Sequence, residues 1–283
     1  MRLSILILVI CACAHAFYNQ ARRSHRTALQ MSTVVVFGGT GKTGSECVYQ
    51  ALEAGQKVVV LARSPEKMIY PEGSGGVANT GRLMSNDNLQ VLQGDVTKQS
   101  DVDAAFAAAQ DDVIGTIVSL GGKTKDVGPT MLTDGTSCVI NAMKAKGVKR
   151  VAVVTSIGAG DSEKQAPFFF KALMYTVMSG IFKDKNNQEK LFTGDVTGSA
   201  PGGDLEWCIV RPGGLGTGPP TGVINVIEGE AGSIQRADVA AFCLGAITDE
   251  NFPYIRGTPC ISSVGGTSWK KEKGANFDSV TSA

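Results

Sequence analysis

The residues with the clearest chemical potential lie in the segment TVVVFGGTGKTGSECV, which runs from residue 33 to residue 48. Gly38, Gly41 and Gly44 recur at intervals of three, and Lys42 and Thr43 stand between the last two glycines. Glycines at this spacing let the backbone turn tightly and hold a phosphate group through its N–H groups. Two kinds of phosphate site have this composition, a triphosphate loop and a dinucleotide loop.

The position of the first glycine distinguishes these two sites. A triphosphate loop has the pattern GxxxxGK[ST], and with Gly41 and Lys42 near its end the first glycine would fall at position 36. That residue is Val36, which belongs to the preceding β-type run. The segment therefore predicts a dinucleotide loop.

In a dinucleotide loop the three glycines have different tasks. We expect Gly38 to form the turn, Gly41 to let the backbone approach a pyrophosphate, and Gly44 to let the following helix pack on the strand. The pyrophosphate would lie at the N-terminus of a helix over residues 42–53, where free N–H groups favour an anion. Further contacts are expected from Thr40, Lys42 and Thr43.

The second β-type run ends in VVVLARSPEK, and it bears on the choice of dinucleotide. NAD-binding proteins usually place an acidic residue there to hold the ribose 2′-hydroxyl, whereas this chain has Arg63. A guanidinium can bind a 2′-phosphate through paired, charge-assisted hydrogen bonds. The sequence therefore predicts NADP as cofactor, with Lys42 and Ser64 as additional ligands; the alternative is that Arg63 is a solvated loop residue.

Two further strand ends supply candidate ligands. Asp95 and Val96 follow the third run, so the carboxylate could accept the adenine amino group while valine packs on the ring. Asp95 could equally cap the next helix. The end of the fourth run is expected to line the ribose side, with Ser119, Leu120 and Gly121, followed by Gly122.

The elements that must position these residues are visible as alternating patterns. Near-continuous apolar runs, typical of strands buried on both faces, occupy residues 33–37, 57–61, 89–92, 112–120, 150–156 and 205–211. Amphipathic stretches that predict helices separate several of them, at residues 42–55, 100–110 and 131–147. This alternation predicts an α/β fold, a Rossmann-like doubly wound parallel sheet in a single domain.

Three segments rich in Gly and Pro interrupt the pattern, at residues 70–88, 192–204 and 211–222. The first two are expected to be surface insertions, although either could act as a lid. The third follows the sixth strand, at the sheet edge where open α/β sheets bind their ligands.

The N-terminal part has the character of a targeting sequence. Residues 1–16 carry one early Arg, an apolar run and small residues, as a signal peptide does, and residues 17–31 are rich in Arg and Ser without acidic residues, as a transit peptide is. This bipartite pattern predicts import into a plastid, the chloroplast stroma; secretion with a basic propeptide is the alternative. The NAD(P)-binding Rossmann domain is expected over residues 32–265 and a tail over 266–283.

Composition excludes several classes of function. Four of the 27 basic residues lie within residues 1–30 and none of the 26 acidic ones does, so the remainder has a net charge near −3, which does not indicate a nucleic-acid partner. Both histidines, His15 and His25, lie in the same N-terminal part. The mature chain thus lacks the means for Ser-His or Cys-His catalysis and for a His-containing metal site, and no metal is predicted.

Cysteine usage and hydropathy add two expectations. The five cysteines after residue 31 are widely spaced, odd in number and without a CxxC pair, which fits a reducing compartment rather than a disulfide framework. No later segment is apolar over the roughly 20 residues that a membrane span requires. The mature chain is therefore expected to have no transmembrane segment.

The motifs together resemble a known family. In chain order they are VVVFGGTGKTG, VVVLARSPEK, VLQGDVT, GVKRVAVVTSIGAG, KNNQEKLF and EWCIVRPGGL. With them the chain resembles the atypical short-chain dehydrogenase/reductase family, and in particular the NADP-binding domain of the chloroplast inner-envelope translocon component, over roughly residues 33–265. The resemblance implies a hydride-transferring fold and a catalytic set of Ser, Tyr and Lys.

That catalytic set is incomplete here. Ser156 occupies the serine position, and Lys185, with Glu189 four residues later, is similar to the family's lysine, which holds the nicotinamide ribose. The tyrosine position then holds Ile181, and Tyr175 is the remaining candidate, although its spacing is equally typical of a core or lid aromatic. The alternatives for Ser156 and Lys185 are a strand-end hydroxyl and a solvated lysine paired with Glu189.

The sixth strand ends in Arg211, Pro212 and Gly213, and the glycines are expected to let the backbone pass close to the nicotinamide amide. The leading hypothesis is an NADP(H)-dependent reductase that transfers hydride from NADPH to a small organic acceptor, with Ser156 polarising a carbonyl or similar group. The alternative is a non-catalytic NADP(H)-binding protein that senses redox state or acts as an assembly or docking factor with a plastid protein partner.

Overall fold

The computed structural model describes residues 32–110, 112–122, 128–264 and 267–268. The predicted signal peptide, the predicted transit peptide and nearly all of the predicted tail lie outside these residues.

Strands and helices alternate along the chain as the hydropathy pattern predicts. The strands are β1 (Thr33–Phe37), β2 (Lys57–Ala62), β3 (Leu89–Gln93), β4 (Val113–Val118), β5 (Arg150–Val154), β6 (Glu206–Pro212), β7 (Gly214–Gly216), β8 (Asn225–Val226), β9 (Ser233–Gln235), β10 (Cys260–Ser262) and β11 (Thr267–Ser268). The helices are α1 (Lys42–Glu53), α2 (Gln99–Ala108), α3 (Met131–Lys146), α4 (Phe168–Tyr175), α5 (Ser179–Thr193) and α6 (Arg236–Thr248). Two short 3₁₀ turns lie at Pro65–Lys67 and Ser162–Gln165.

The main sheet has the strand order β11-β8-β10-β6-β5-β4-β1-β2-β3 in the described residues. Neighbouring strands from β3 to β10 pair in parallel, and β8 pairs antiparallel with both β10 and β11. The order reverses between β1 and β4, because the chain first builds outward from β1 to β3 and then returns to the other side. The predicted Rossmann-like single-domain α/β fold is confirmed.

The sheet is covered on both faces because its central strands are apolar on both sides. Alternate residues of β1 enter different cores: Val34 and Val36 pack with α1 and α6, and Val35 and Phe37 pack with α2, α3 and α5. All four side chains are fully buried. The continuous apolar runs of the sequence are therefore explained by two cores that share one sheet.

The segment at residues 70–88 is fixed to α1. Glu46, which is 2% exposed, accepts hydrogen bonds from the backbone N–H of Gly73 at 3.0 Å and of Ser74 at 3.1 Å. The side chain of Gln50 donates to the Ser74 hydroxyl at 3.0 Å. These three bonds attach the segment, expected to be a surface insertion or a lid, to the side of α1. No helix of the described chain has both the length and the apolarity to cross a bilayer.

Candidate functional site

A cavity of about 530 Å³ runs along the carboxyl ends of β2, β3, β1, β4 and β5, across the point where the strand order reverses. Open α/β sheets bind their ligands at this position because neighbouring loops diverge there and leave a crevice. The lining residues that the sequence predicted are Gly38, Thr40, Gly41, Lys42, Thr43, Arg63, Asp95, Val96, Ser119, Leu120, Gly121, Gly122 and Lys185. Gly44, Ser64, Ser156, Tyr175, Pro212 and Gly213 are not among the lining residues.

Two glycines of the loop at the centre of the cavity, Gly38 and Gly44, leave no space for a side chain. Gly38 has φ +82°, and a Cβ atom there would lie 2.2 Å from the carbonyl oxygen of Ser119. A Cβ on Gly44 would lie 2.1 Å from the carbonyl oxygen of Gly38. The loop therefore packs directly on the end of β4 and on the first turn of α1, which agrees with the turn and packing tasks expected of these two glycines.

The N-terminus of α1 opens into the same cavity. Gly41 is the N-cap, and it has no side chain that could accept from the first N–H groups of the helix. The Lys42 ammonium lies 3.2 Å from a carboxylate oxygen of Glu72, and both side chains are more than half exposed. The uncapped N-terminus of α1 favours an anion, and the Glu72 carboxylate partly offsets the charge of Lys42.

The far end of the cavity, at β2 and β3, combines Arg63 with Asp95. Asp95 accepts from the Thr97 N–H at 3.0 Å and from the Thr97 hydroxyl at 2.8 Å. These hydrogen bonds, together with the nearby Arg63 cation, hold the pKa of the Asp95 carboxyl below its usual value. Asp95 therefore lines the cavity, but it does not cap α2: its bonds to Thr97 stabilise the turn before the helix, whose N-cap is Lys98 without a side-chain cap bond.

Lys185 lies at the opposite end of the cavity, next to the end of β5. Its ammonium donates to the carbonyl oxygen of Thr155 at 2.9 Å. Burial lowers the pKa of Lys185 to about 8, although Glu189 and Asp184 act in the opposite direction. Glu189 does not pair with Lys185, contrary to the alternative raised by the spacing, because its carboxylate is bound by Arg211 and Thr155.

The other two members of the predicted catalytic set are placed away from the cavity. The Ser156 hydroxyl donates to the carbonyl oxygen of Ile157 at 3.0 Å, so it is turned towards its own loop. Tyr175 is 64% exposed on α4, and a hydrogen bond to Glu163 raises the pKa of its phenol. The expectation that Tyr175 reaches into the site is corrected by its position on the outer surface of a short helix.

The backbone after β6 also differs from expectation. A Cβ on Gly213 would lie 2.1 Å from the carbonyl oxygen of Gly232, so this glycine is required for packing against the segment before β9. Pro212 accepts from the N–H of Ile157 at 3.1 Å. These two residues shape the scaffold, and Leu215 two positions later is the residue of this segment that lines the cavity.

A buried network of charged side chains lies next to Thr155 and Lys185, at the β5 end of the cavity. Arg211 is 3% exposed, and its guanidinium donates to both carboxylate oxygens of Glu189, at 3.1 Å and 2.6 Å. It also contacts Asp161 at 2.5 Å, and this contact lowers the pKa of the Asp161 carboxyl. The Thr155 hydroxyl donates to Glu189 at 2.7 Å, which connects the network to the residue that accepts from Lys185.

Several lining residues were not found by sequence reasoning, namely Leu61, Ala62, Gly94, Thr97, Met131, Val154, Thr155, Leu215 and Arg236. Thr155 adjoins the serine position, but the end of β5 turns Thr155 rather than Ser156 into the cavity. Arg236 begins α6, far along the chain from the glycine loop, and no spacing rule connects the two. It enters the site because α6 packs against α1 on the same face of the sheet.

Comparison with known proteins agrees with this geometry. The family model described as NAD(P)H-binding matches residues 38–250. The chain belongs to the NAD(P)H-binding family. The matched part begins at the first glycine of the loop and includes α6, so it covers the cavity from end to end.

Three known proteins are similar to this chain. An uncharacterised chloroplast protein of Arabidopsis thaliana is 29% identical over 235 residues, which are 79% of this chain and 74% of that protein. The chloroplast protein TIC 62 of Oryza sativa subsp. japonica is 25% identical over 194 residues, which are 64% of this chain but only 35% of TIC 62. The structure of ChuY, an anaerobillin reductase from Escherichia coli O157:H7, has a TM-score of 0.61 and 26% identity, and the match covers 82% of this chain and 97% of ChuY.

The described residues fit a dinucleotide of the NAD(P)H class. The volume of the cavity lies within the range of small-molecule sites. Its centre offers backbone N–H groups of α1 without a capping side chain, and the missing Cβ atoms of the glycine loop open the approach to them. Arg63, Lys185 and Arg236 add positive charge along the same cavity.

Proposed function

We propose that the protein is an NADPH-dependent reductase that delivers hydride to a small organic acceptor. The observation that carries this proposal is that one continuous cavity joins Arg63 at the end of β2 to Lys185 at the end of β5. A guanidinium at the first position suits a 2′-phosphate, and an ammonium at the second suits the ribose at the reacting end. Support also comes from the similarity to ChuY, an anaerobillin reductase.

Bound NADPH would supply the hydride, and the protein's own residues would orient and shield it. Lys185 is held by the Thr155 carbonyl, which fixes the ammonium at the end of the cavity. With its pKa near 8, the ammonium is largely protonated at neutral pH and can release a proton to a reduced acceptor. Among the described lining residues, Thr155 is a poorer donor because its hydroxyl proton is already directed to Glu189.

The test is reduction of an acceptor panel by the purified protein. The panel would contain anaerobillin, which appears in the name of the ChuY reductase, together with quinones, flavins and carbonyl compounds. We expect at least one acceptor to oxidise NADPH well above the background rate, with a much lower rate for NADH. Lys185→Met should lower the rate with the active acceptor, and Lys183→Met, an exposed neighbour on α5, should not.

A second candidate function is a non-catalytic NADP(H)-binding protein that senses redox state or docks a plastid partner. The specific observation in its favour is that Ser156 and Tyr175 both lie outside the cavity lining. Tight NADPH binding with no turnover of any acceptor in the panel would support this role over the reductase. Both functions use the same cofactor site, and they differ in whether the bound cofactor reduces an acceptor.

We also propose a plastid location. The support is the signal-like and transit-like composition of residues 1–31 together with similarity to two chloroplast proteins. A fluorescent protein fused after residue 31 should accumulate in plastids of an alga with secondary plastids. Export of the same fusion from the cell would support the secretory alternative.

A further inference from the structure

Arg236 is the basic residue of the cavity with the least obvious task. It is the first residue of α6, and it lines both the main cavity and an adjoining recess that it shares with Thr40 and Lys42. Its side chain therefore stands beside the glycine loop and the N-terminus of α1. Arg63 lies at the far end of β2, so the two guanidinium groups face different parts of the same cavity.

Two hydrogen bonds hold Arg236 in this position. Its Nη1 donates to the carbonyl oxygens of Leu215 at 3.2 Å and Gly216 at 3.0 Å. Nε and Nη2 take no part in these bonds, so the guanidinium can still offer donors to an anion in the cavity. The side chain is partly buried, which limits its freedom and makes it a preorganised ligand.

Two carboxylates, Glu46 and Glu72, also line the recess, but among the described residues neither forms an ion pair with Arg236, so its guanidinium remains available to an anion. A cation in the first turn of a helix lies at the positive end of the helix dipole, where it is unfavourable without a negative partner. Asp238 in the same turn is engaged elsewhere, because its carboxylate accepts from the backbone N–H of Thr221 at 3.0 Å and of Gly222 at 2.9 Å. Lys42, the other cation beside the loop, is paired with Glu72.

We propose that Arg236 binds the cofactor pyrophosphate and acts as its main cationic side chain. The N–H groups of α1 would hold the pyrophosphate from one side and the guanidinium from the other. Because the same guanidinium binds the Leu215 and Gly216 carbonyls, cofactor binding would also fix the wall that Leu215 forms. Arg236 is thus a positioning residue for the dinucleotide, which goes beyond the proposed reductase function and does not depend on the acceptor.

The experiment separates pyrophosphate recognition from 2′-phosphate recognition. Binding of NADP, NAD and adenosine 2′-monophosphate would be measured by calorimetry for the wild type, Arg236→Met and Arg63→Met. Loss of a charge-assisted bond of about 1.5 kcal/mol or more corresponds to at least about tenfold in affinity. Arg236→Met should weaken NADP and NAD by a similar factor of this size and leave adenosine 2′-monophosphate unchanged, whereas Arg63→Met should weaken NADP and adenosine 2′-monophosphate and spare NAD.

Arg256→Met is the matched control, because Arg256 also donates to backbone carbonyls, those of Leu205 and Asp204, but does not line the cavity. Its affinities should equal those of the wild type. Arg236→Lys, which keeps the charge, should recover part of the loss for NADP and NAD. Arg236→Gln, whose neutral amide can still donate to the Leu215 and Gly216 carbonyls, should not recover the loss, so the two variants separate the charge from a purely structural role of these bonds.

Unchanged NADP and NAD affinities in Arg236→Met would overturn the proposal, and so would a loss confined to NADP. A wild-type protein that bound neither dinucleotide would overturn it as well. If the protein bound both dinucleotides but reduced no acceptor of the panel, the reductase function would be contradicted and the role of Arg236 would not. The two proposals can therefore fail independently.

Discussion

The ammonium of Lys185 and the carbonyl oxygen of Thr155 lie 2.9 Å apart at the β5 end of the cofactor cavity. This bond joins α5 to the end of β5 and places a basic group where the resemblance led us to expect a Tyr–Lys pair. The residue four positions earlier, Ile181, lines a recess beside Lys185 and offers no proton. The chemistry of this end of the cavity therefore depends on a lysine without a neighbouring tyrosine.

The lowered pKa of Lys185 predicts a pH dependence of stability. The folded value is about 8 against an ordinary value of 10.5, so between these pH values the unfolded chain binds more protons at this residue. The contribution of Lys185 to the free energy of unfolding should therefore rise from pH 8 to pH 10.5. Urea unfolding across this window should show a smaller rise for Lys185→Met than for Lys183→Met, and equal rises would contradict a lowered pKa.

Arg63 predicts the cofactor preference and its salt dependence. Without the guanidinium a 2′-phosphate loses its charge-assisted partner, so Arg63→Ala should reduce NADPH affinity by about tenfold or more and leave NADH affinity nearly unchanged. Raising the salt concentration should weaken NADPH binding more in the wild type than in the variant, because exposed charges are screened. Arg82→Ala, an exposed arginine outside the cavity lining, is the control. Unaltered preference for NADPH in Arg63→Ala would rule out this assignment.

Gly44 predicts a steric effect on both folding and binding. A methyl group there would meet the Gly38 carbonyl oxygen at 2.1 Å, and backbone on both sides leaves it little room to relax. Gly44→Ala should lower the free energy of unfolding by about 1–3 kcal/mol or more and reduce NADPH affinity. Gly229→Ala, where nothing lies within 4 Å of the new atom, should change stability by less than about 0.5 kcal/mol. Chemical denaturation with parallel binding titrations would measure both.

The two carboxylates that contact Arg211, those of Glu189 and Asp161, are expected to contribute unequally to the free energy of unfolding. Glu189→Gln removes the buried carboxylate from Arg211 and leaves the exposed Asp161 as its remaining charged partner, so it should cost about 3–5 kcal/mol. Asp161→Asn should cost less than about 1 kcal/mol, because the Asp161 side chain is 87% exposed and solvent screens the pair. The midpoints of thermal unfolding should fall in the order wild type, Asp161→Asn, Glu189→Gln. Equal losses would show that Arg211 depends on both partners alike.

The hydrogen bonds that Glu46 accepts are expected to determine how firmly residues 70–88 are attached to α1. Glu46→Ala removes the acceptor of the Gly73 and Ser74 N–H groups, so the segment should detach more often. Trypsin should then cleave after the exposed Arg82 several-fold faster, because proteolysis follows local opening. Glu53→Ala, an exposed change on the same helix, should leave the cleavage rate unchanged. If cleavage were as slow in Glu46→Ala, other contacts would have to hold the segment.

The sequence by itself determined the fold class and the central part of the site. Continuous apolar runs require strands that are buried on both faces, and Gly38, Gly41 and Gly44 can support a tight turn only between such a strand and a helix. The position of Arg63 was also predictable, because this residue directly follows the end of β2 and therefore lies at the carboxyl edge of the sheet. These features are local, so a single segment contains all the information that specifies them.

Only the tertiary structure decided which residues face the cavity at its other end. The turn of the backbone at the end of β5 directs Thr155 inward and Ser156 to its own loop, which adjacent residues in a sequence cannot reveal. Arg236 reaches the glycine loop because α6 packs against α1, a contact between segments far apart along the chain. Such placements depend on how helices pack on the sheet, and this packing is set by the whole core rather than by any one motif.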